Sequence, residues 1–406
     1  MNQTQDYDII IFTLSRWDSP ISSPSLSLAK EFAKHNRVFY IDHPYSFKDF
    51  LKERNQAEVK QRTKALLLGK DAYKTLHQFS SNLIAVTTQL TLPVNFLPKG
   101  SLYNTLSRYN DNIVFKAIRN IIKDFSVKKF IFINAFDPYF CRQFPEDIQP
   151  FRTVYQSMDD LSQVTYTAKH GIALEADIIK KYDITLTTSK ELTRLKLQHS
   201  PSVYYHPNAA DISIFGKTIS EKFERPKELI GFEDKKIIGY TGNIESRIDY
   251  QLLQKVIETH QDKLICMVGP ITTDEHESIG LKKYKNVILI GPKKITELPQ
   301  YLQYFDCTLI PFKKNILTKS IYPLKINEYL SAGKAVVATN FSEDIEGFGN
   351  VIYIGKDTDE FVDKIAIAIN SNRQEQVSQR VAFAQTNTWT ARVESFWEII
   401  HESTKK

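Results

Sequence analysis

A glycine-containing loop in the second half of the chain has residues suited to binding an anion. The segment Gly239-Tyr-Thr-Gly-Asn-Ile-Glu-Ser-Arg follows an apolar, strand-like run and precedes a helical pattern. Gly242 allows the backbone to approach a ligand closely, and Arg247 supplies a charge that can pair with phosphate. A plain strand-to-helix turn explains the same pattern, so the loop alone leaves both interpretations open.

A second candidate site lies at the start of a predicted helix, in Ser320-Ile-Tyr-Pro-Leu-Lys-Ile-Asn-Glu-Tyr-Leu-Ser-Ala-Gly. Pro323 suits the first turn of that helix, whose free N–H groups and positive dipole end attract an anion such as pyrophosphate. Lys325 adds a full charge, and the carboxylate of Glu328 can accept hydrogen bonds from ribose hydroxyls. An ordinary helix with an exposed Lys and Glu is the alternative.

Residues for metal or dinucleotide chemistry are not found in the expected patterns. Asp357-Thr-Asp359 fits a D-x-D metal motif, but it directly precedes the helical run EFVDKIAIAI, which favours an N-cap. The nine histidines show no H-x-x-x-H spacing. No G-x-G-x-x-G follows the first strand-like run. We therefore predict neither a metal site nor a cofactor.

Short apolar runs alternate with helical patterns along both halves, and this is typical of parallel sheets buried on both faces. The predicted strands are 7–14, 37–42, 83–88, 129–136, 152–158, 184–189, 236–243, 263–270, 286–292, 307–312, 335–340 and 351–355. The pattern predicts an α/β protein with two Rossmann-like, doubly wound domains and a cleft between them. Ligands of such sheets bind beyond the carboxyl ends of the strands.

The predicted domain boundaries follow from where this pattern restarts. Residues 1–205 form one domain and 206–385 the second, with the polar segment 213–235 interpreted as a linker. An amphipathic helix at 386–406 ends the chain and can cross back to the first domain.

Composition excludes several classes of protein. The 406 residues are 42% hydrophobic and 25% charged, which excludes low-complexity and largely disordered chains. No apolar run approaches the roughly 18 residues of a membrane-spanning helix. The beginning of the chain shows no secretory signal, and the three scattered cysteines are expected to be buried thiols. We expect a cytoplasmic protein.

The basic charge is concentrated in the first half. Residues 1–205 hold 27 Lys and Arg against 20 Asp and Glu, whereas 206–406 hold 26 against 27. Segment 46–78 is basic and amphipathic in places, with eight basic and four acidic side chains. Such a segment can lie on an anionic membrane surface or can be a solvated helical excursion. The signal is too diffuse for nucleic acid.

The order of the motifs resembles that of GT-B glycosyltransferases, in the large retaining family numbered four (group 1). The subgroup it is most similar to is that of teichuronic-acid and exopolysaccharide biosynthesis. The resemblance rests on the Trp17–Pro20–Ser23 loop, Tyr155-Gln-Ser-Met-Asp-Asp-Leu-Ser, Glu175–Asp183 with Thr188-Ser189, His206-Pro-Asn-Ala-Ala-Asp211 with Phe215, Asn286–Pro292 and Pro323–Val337. These motifs span most of the chain.

The resemblance implies roles for matching positions. Glu328 matches the second glutamate of the E-x7-E motif, which holds the donor ribose, and Arg247 matches the basic residue that neutralises the diphosphate. The first domain would bind the acceptor. The predicted donor-binding residues are Gly242, Asn243, Gly269, Gly291, Lys293, Ile295, Ser320, Leu324 and Glu328, and the predicted catalytic residues are Arg247, Lys325, Asp137 and Asp159.

The chain departs from the family at three places. Ser320 replaces the first glutamate of E-x7-E, which leaves the transferred sugar undetermined. Asn243 stands where an arginine often follows the loop glycine. The histidine often found near the acceptor is absent from Ile131–Pro138. Asp137 or Asp159 could take a polar role there, but each could equally be a turn or cap residue.

The sequence therefore predicts a glycosyltransferase on the inner face of the plasma membrane. It would move a sugar from a nucleoside-diphosphate donor, with UDP expected, to a lipid-linked or cell-surface polysaccharide acceptor with retention of configuration. A non-catalytic sugar-binding or scaffold protein and a nucleotide-sugar epimerase are the alternatives.

Overall fold

The computed structural model describes residues 7–19, 23–163 and 169–404. Contacts divide the chain into two units, Met1–Pro207 with Arg392–Lys406, and Asn208–Ala391. The sequence prediction places this boundary after residue 205. Pro20, which contributes to the family resemblance, lies outside the described residues.

The first unit is built on an eight-stranded sheet in the order β3-β4-β2-β1-β5-β6-β7-β8. Neighbouring strands are parallel except for the β3–β4 pair. Apolar side chains fill the central strands, and β5 is buried along its whole length. The strands are β1 (Asp8–Thr13), β2 (Val38–Ile41), β3 (Tyr73–Thr75), β4 (Leu83–Val86), β5 (Phe130–Ala135), β6 (Arg152–Ser157), β7 (Ile184–Thr187) and β8 (Val203–Tyr205).

Helices cover this sheet, and their ends follow ordinary capping rules. Ser23 caps the first helix by accepting a hydrogen bond from the backbone N–H of Leu26. The helices are α1 (Pro24–Phe32), α2 (Phe47–Glu53), α3 (Ala57–Lys60), α4 (Thr63–Leu68), α5 (Ser101–Asp124), α6 (Gly171–Lys181) and α7 (Lys190–Lys196), with a 3₁₀ turn at Leu161–Gln163.

The C-terminal residues from Arg392 onward pack on the first unit through aromatic side chains. Phe396 and Trp397 lie with ring centroids 4.9 and 6.3 Å from Phe32, and Trp397 lies 6.0 Å from Tyr7. Aromatic pairs at these distances add to the stability that burial alone provides. The amphipathic end of the chain is therefore part of the first unit's core.

The basic segment 46–78 is folded onto the first unit. Arg62 is buried and donates hydrogen bonds to both oxygens of Asp18 and to Asp42. Val59 and Leu66 are buried in a small separate cluster. This part of the segment is structural, since a buried arginine removed from its two carboxylates would leave charges unpaired.

The second unit has a six-stranded parallel sheet in the order β11-β10-β9-β12-β13-β14. The strands are β9 (Ile237–Thr241), β10 (Leu264–Val268), β11 (Val287–Gly291), β12 (Cys307–Ile310), β13 (Val336–Thr339) and β14 (Tyr353–Gly355). The helices are α8 (Ile212–Phe215), α9 (Lys217–Ser220), α10 (Tyr250–Thr259), α11 (Leu298–Tyr304), α12 (Ile316–Lys319), α13 (Leu324–Ser331), α14 (Thr358–Ile369), α15 (Gln374–Gln385) and α16 (Trp389–Ser403), whose residues from Arg392 belong to the first unit. Short 3₁₀ segments occur at Lys227–Leu229, Glu275–Ile279, Leu281–Lys283, Ile295–Glu297 and Glu343–Val351.

The interpretation of 213–235 as a linker is wrong. Phe215 and Leu229 are fully buried in the core of the second unit. The Gln303 side chain accepts a hydrogen bond from the N–H of Phe223 and donates to the carbonyl of Thr218. The segment is polar because much of it lies on the surface, but its few apolar residues anchor it.

The two α/β units confirm the predicted fold class, and all twelve predicted strands are present with ends shifted by at most two residues. In each sheet, the strands that come first in the chain are added on one side of the first strand and the later strands on its other side. This reversal of strand order lies between β1 and β5 in the first unit and between β9 and β12 in the second. The carboxyl ends of the strands at such a reversal form a crevice in which α/β proteins bind ligands.

Candidate functional site

The loop after β9 crosses the loop after β10 at very close range. The N–H of Gly242 donates to the carbonyl of Val268 over 2.8 Å. A Cβ atom at Gly269 would lie 2.0 Å from the carbonyl oxygen of Gly242, and Gly269 has a φ of +154°. Only glycine fits such a crossing, because any larger residue would overlap backbone atoms. The two loops therefore form one fixed edge beside the sheet.

The side chain of Lys325 lies directly over Gly242. A Cβ atom added at Gly242 would lie 2.1 Å from Cε and 2.8 Å from Nζ of Lys325, and Gly242 has a φ of +128°. The absence of a side chain at Gly242 is therefore what allows the lysine to run across the loop. Helix α13 begins one residue before Lys325, and no side chain caps its first turn.

Tyr329 fixes helix α13 against the end of β9. Its hydroxyl oxygen accepts a hydrogen bond from the N–H of Thr241 over 2.8 Å and lies 3.2 Å from the carbonyl oxygen of that residue. The tyrosine is fully buried. Because Tyr329 lies one turn beyond Lys325 on the helix, this contact sets the position of the lysine over the glycine loop.

Four charges meet at this place. Burial lowers the pKa of Lys325 from its usual 10.5, opposed by the nearby Glu328 and reinforced by Arg247. Burial raises the pKa of Glu328 above 4.5, opposed by Lys325. Arg247 contacts the carboxylate of Glu245 and lies 5.6 Å from the ring of Phe312. The two cations are therefore balanced by two carboxylates, and an anion that contacts Arg247 competes with Glu245 for it.

Three other predicted donor-site residues are Leu324, Asn243 and Ser320, and each has a different local environment. Leu324 is the first residue of α13, and Asn243 is exposed with its carbonyl accepting a hydrogen bond from Tyr240. Ser320 is only 1% exposed, and its hydroxyl donates to the carbonyl of Leu317. The hydroxyl of the serine that replaces the family's first glutamate is therefore already hydrogen-bonded to the preceding helix, α12.

An open groove of about 510 Å³ lies beside the crossing loops. Its lining includes Gly269, Ile271, Leu289 and Gly291. The backbones of Gly269 and Gly291 are bridged, which continues the glycine edge across the ends of three strands. The size and the mostly apolar walls suit a flat ring such as a nucleotide base.

The predicted base-binding residues Lys293 and Ile295 are held by the protein itself. The Nζ atom of Lys293 lies 2.9 Å from the Glu228 carboxylate and 5.5 Å from the centroid of the Tyr301 ring. These partners raise the pKa of Lys293. Ile295 begins a 3₁₀ turn and packs against the core.

In the first unit, Asp137 has a partner that sequence reasoning missed. Its buried carboxylate lies 2.8 Å from Nδ1 of His43. His43 follows the carboxyl end of β2, whereas Asp137 follows β5. The sequence does contain one feature that could have identified this pair. Both residues come just after the end of a predicted strand, and the two strands lie near the reversal of the sheet. Asp159 lies elsewhere, exposed in the turn after β6.

The D-x-D sequence is a helix cap, as predicted. The carboxylate of Asp357 accepts a hydrogen bond from the N–H of Glu360 over 2.9 Å. Within the described ranges, no three His, Cys, Asp or Glu side chains are grouped so that they could hold a metal ion. Nor does any described helix combine the length and apolar character needed to cross a bilayer.

Comparison with known proteins places part of the chain in a family. Residues 235–371 match the family model "Glycosyl transferases group 1". The chain is also 25% identical over 224 residues to "Putative teichuronic acid biosynthesis glycosyltransferase TuaH" of Bacillus subtilis (strain 168). That alignment covers 53% of this chain and 56% of the relative, so the chain spans about half the length of the relative it matches.

Solved structures match along nearly the whole chain. A trehalose-6-phosphate structure from E. coli, bound with UDP-2-fluoro glucose, has a TM-score of 0.66 at 10% identity, covering 96% of this chain and 98% of that one. HepE of Anabaena in complex with UDP has a TM-score of 0.63 at 12% identity, with coverages of 97% and 100%. Sucrose-phosphate synthase of Thermosynechococcus elongatus has a TM-score of 0.64 at 12% identity, with coverages of 97% and 98%.

These matches confirm the resemblance to group 1 glycosyltransferases of the GT-B fold, and at such low identity the solved structures show the fold alone. The chain has the GT-B fold, and its residues 235–371 form a glycosyltransferase group 1 domain.

Proposed function

We propose that the protein is a glycosyltransferase that moves a sugar from a nucleoside-diphosphate sugar to a lipid-linked or cell-surface glycan. The observation that carries this proposal is Lys325 lying over Gly242, with the charges of Arg247 and Glu328 acting on it. UDP is the nucleotide we propose, and two of the structural neighbours are named as bound with UDP or a UDP-sugar. The Bacillus subtilis relative, named for teichuronic acid biosynthesis, supports a surface polysaccharide.

The chemistry assigned to the second unit is stabilisation of a leaving group. When the bond from the sugar carbon to the diphosphate oxygen breaks, its electron pair remains on the diphosphate. Lys325 and Arg247 are placed to neutralise that charge, and the first turn of α13 adds N–H groups. Glu328, near Lys325, is the proposed acceptor of ribose hydroxyl hydrogen bonds. We propose that these cations suffice without a metal ion, that the acceptor oxygen adds to the sugar carbon with retention, and that its proton passes to the leaving diphosphate oxygen.

The donor site is tested by thermal shift with UDP, GDP, ADP, dTDP and CDP on the wild type and Glu328→Ala. A ligand that binds the native state at 100 times its Kd stabilises it by about 2.7 kcal/mol, a rise in Tm of about 5 to 10 °C for a unit of this size. We expect one diphosphate, UDP, to raise the wild-type Tm in this way. The Glu328→Ala variant should lose most of the shift, because two hydrogen bonds to a carboxylate disappear.

The matched control is Glu346→Ala, which removes an exposed carboxylate of the same unit. Its response to UDP should equal that of the wild type. If no diphosphate shifts the wild-type Tm at millimolar concentration, the donor site is refuted and the non-catalytic scaffold becomes the leading alternative. Ser320 and Asn243 support the scaffold alternative, because both depart from the family pattern. If UDP does bind, a measurement of sugar transfer to an acceptor distinguishes a transferase from an epimerase.

We further propose that the first unit binds an anionic membrane surface through α2 and α4. Helix α2 has no buried residue. The exposed fractions of Phe47, Leu51, Leu67 and Leu68 are 48, 63, 48 and 65%, and exposed lysines such as Lys52 lie among them. Apolar side chains flanked by cations suit the boundary between headgroups and acyl chains of anionic lipid.

Sedimentation with vesicles tests the membrane proposal. The wild type should sediment with phosphatidylcholine vesicles containing about 30% phosphatidylglycerol, but not with pure phosphatidylcholine, and salt should weaken the binding. The double variant Leu51→Asp/Leu68→Asp should lose most of the bound fraction. Ile230→Asp, at an equally exposed apolar residue of the second unit, should not. Equal sedimentation of the double variant and the wild type would rule out this surface.

A further inference from the structure

The first unit contains a polar pocket of about 620 Å³ between α5, the end of α6 and the segment that follows β5. Three cationic side chains line the pocket, one from each of these segments, namely Arg108, Lys181 and Arg142. The one carboxylate among the described lining residues is that of Asp111. None of these residues belongs to the proposed donor site or to the histidine–aspartate pair of this unit. Their excess of positive charge therefore has no part in the chemistry assigned so far.

A chain of hydrogen bonds holds the three segments together beside the pocket. The N–H of Cys141 donates to the Asp111 carboxylate over 2.8 Å, and the Tyr182 hydroxyl donates to the carbonyl of Cys141 over 2.6 Å. Cys141 has a φ of +55°, a left-handed conformation that residues other than glycine rarely adopt. The arginine of α5 lies one turn before Asp111, and the other two cations are chain neighbours of Cys141 and Tyr182. The backbone segments that carry the three cations are therefore fixed relative to one another.

Two of the cations converge on a single carboxylate oxygen. Nζ of Lys181 lies 2.9 Å and Nη1 of Arg142 lies 3.9 Å from Oδ2 of Asp177. The side chains of Lys181, Arg142 and Asp177 are 40, 20 and 37% exposed, so molecules in solution can reach this place. Ion pairs this exposed stabilise a protein little, and a dissolved anion with more charge can take the place of the carboxylate.

The third cation is not paired within the described part of the chain. Arg108 is exposed, and no described carboxylate forms an ion pair with it. The side-chain amides of Asn104, Asn112 and Gln143 also line the pocket. A carboxylate ligand has one charge and two oxygens, and a single guanidinium group satisfies both. A phosphate group carries about two negative charges at neutral pH and has three terminal oxygens, which suits three cations on separate segments.

We propose that this pocket binds the phosphate group of a small molecule from solution, at a second anion site outside the donor site. Arg142 and Lys181 exchange the Asp177 carboxylate for two of the phosphate oxygens, and Arg108 contacts the third. The pocket is larger than a phosphate ion, so it also admits an attached group, which lies against Phe144. Inorganic and esterified phosphate are recognised by the same three cations. The proposal is independent of the proposed function, because it uses no residue of the donor site.

Calorimetric titration with inorganic phosphate, pyrophosphate and AMP tests the proposal. The full chain is used as its Lys325→Met variant, so that the donor site contributes little to the binding measured. We expect at least one of the three compounds to bind at a single site, about tenfold or more tightly than acetate, which has one charge and two oxygens. Inorganic phosphate binding as tightly as AMP indicates recognition of the phosphate alone, whereas tighter binding of AMP indicates an ester.

Three further substitutions, made in the same variant, locate the site. Arg108→Met and Arg142→Met should each weaken binding by about threefold to tenfold, since each removes one charge-assisted contact at a partly exposed place. Asp177→Asn should strengthen binding by about twofold to fivefold, because it removes the competing charge and keeps the size of the side chain. Arg54→Met, at an exposed arginine elsewhere in the first unit, should leave binding unchanged.

The proposal is overturned if none of the three compounds binds more tightly than acetate, or if Arg108→Met and Asp177→Asn both leave binding unchanged. Arg108 is exposed and Asp177 is partly exposed, so neither substitution removes a core contact. The thermal shift with UDP should be the same in the wild type and in Arg108→Met. A missing UDP response in the wild type refutes the proposed function and leaves this site intact, whereas missing phosphate binding refutes this site alone.

Discussion

Replacing Gly242 with alanine is expected to weaken UDP binding by at least about 100-fold, equivalent to about 2.7 kcal/mol. Two effects combine. The new methyl group would lie 2.1 Å from Cε of Lys325, so the lysine must leave its position over the loop. The backbone φ of +128° is also one that alanine adopts only under strain of about 1–3 kcal/mol. Titration calorimetry with UDP measures the loss.

The chain offers a control that separates these two effects. Gly231 also has a positive φ, +88°, but nothing lies within 4 Å of a Cβ atom placed there. Gly231→Ala should therefore lower the Tm of the second unit slightly and leave the Kd for UDP unchanged. If Gly242→Ala bound UDP as well as Gly231→Ala does, the glycine would be only a turn residue and the proposed position of the diphosphate would be wrong.

Replacing Lys325 with methionine should have the other large effect. Methionine nearly matches the length of the side chain and removes its charge, so packing over Gly242 is largely kept. Loss of a charge-assisted contact costs about 1.5–3 kcal/mol of binding, which is about a tenfold to 150-fold rise in the Kd for UDP. Turnover should fall further, by about 100- to 1000-fold, because charge on the leaving group increases in the transition state.

The pH dependence of UDP binding distinguishes Lys325 from a residue that merely fills space. Burial lowers the pKa of Lys325 below 10.5, so its charge is lost at a lower pH than that of an exposed lysine. Only the protonated form attracts the diphosphate, and affinity should therefore fall as pH rises through this pKa. Binding should also take up protons in the alkaline range, because the bound anion raises the pKa again.

Calorimetry in two buffers of different ionisation enthalpy measures that proton uptake. The uptake should disappear in Lys325→Met and persist in Lys255→Met, which removes an exposed lysine on α10. Unchanged proton uptake in Lys325→Met would mean that another group carries the linkage and that Lys325 does not contact the anion.

Much of the fold could be predicted from the sequence, because the information is local. Buried parallel strands are short apolar runs, and the alternation of such runs with helical patterns predicts α/β units directly. The strands it missed, Tyr73–Thr75 and Val203–Tyr205, are three residues long and lie at the two edges of their sheet. Edge strands bury little apolar surface, so they show no apolar run.

In the candidate site, too, the features that could be predicted are those that depend on residues close together in the sequence. Lys325 and Glu328 are three residues apart on one helix, so their proximity follows from helical geometry alone. The family pattern identified them for the same reason, since a motif is a local string. The sequence could not show that Ser320 is buried with its hydroxyl turned to Leu317, or that Lys293 is paired with Glu228.

The sequence by itself determined the two α/β units, the helix that carries Lys325 and Glu328, and the glycine loop. Only the tertiary structure decided that Lys325 crosses Gly242, that His43 meets Asp137, and that Arg62 joins Asp18 to Asp42. The physical reason is that these contacts join residues from different strands and helices. Which strand ends become neighbours depends on the order of the strands in the sheet, and that order is set by packing of the whole unit rather than by any local pattern.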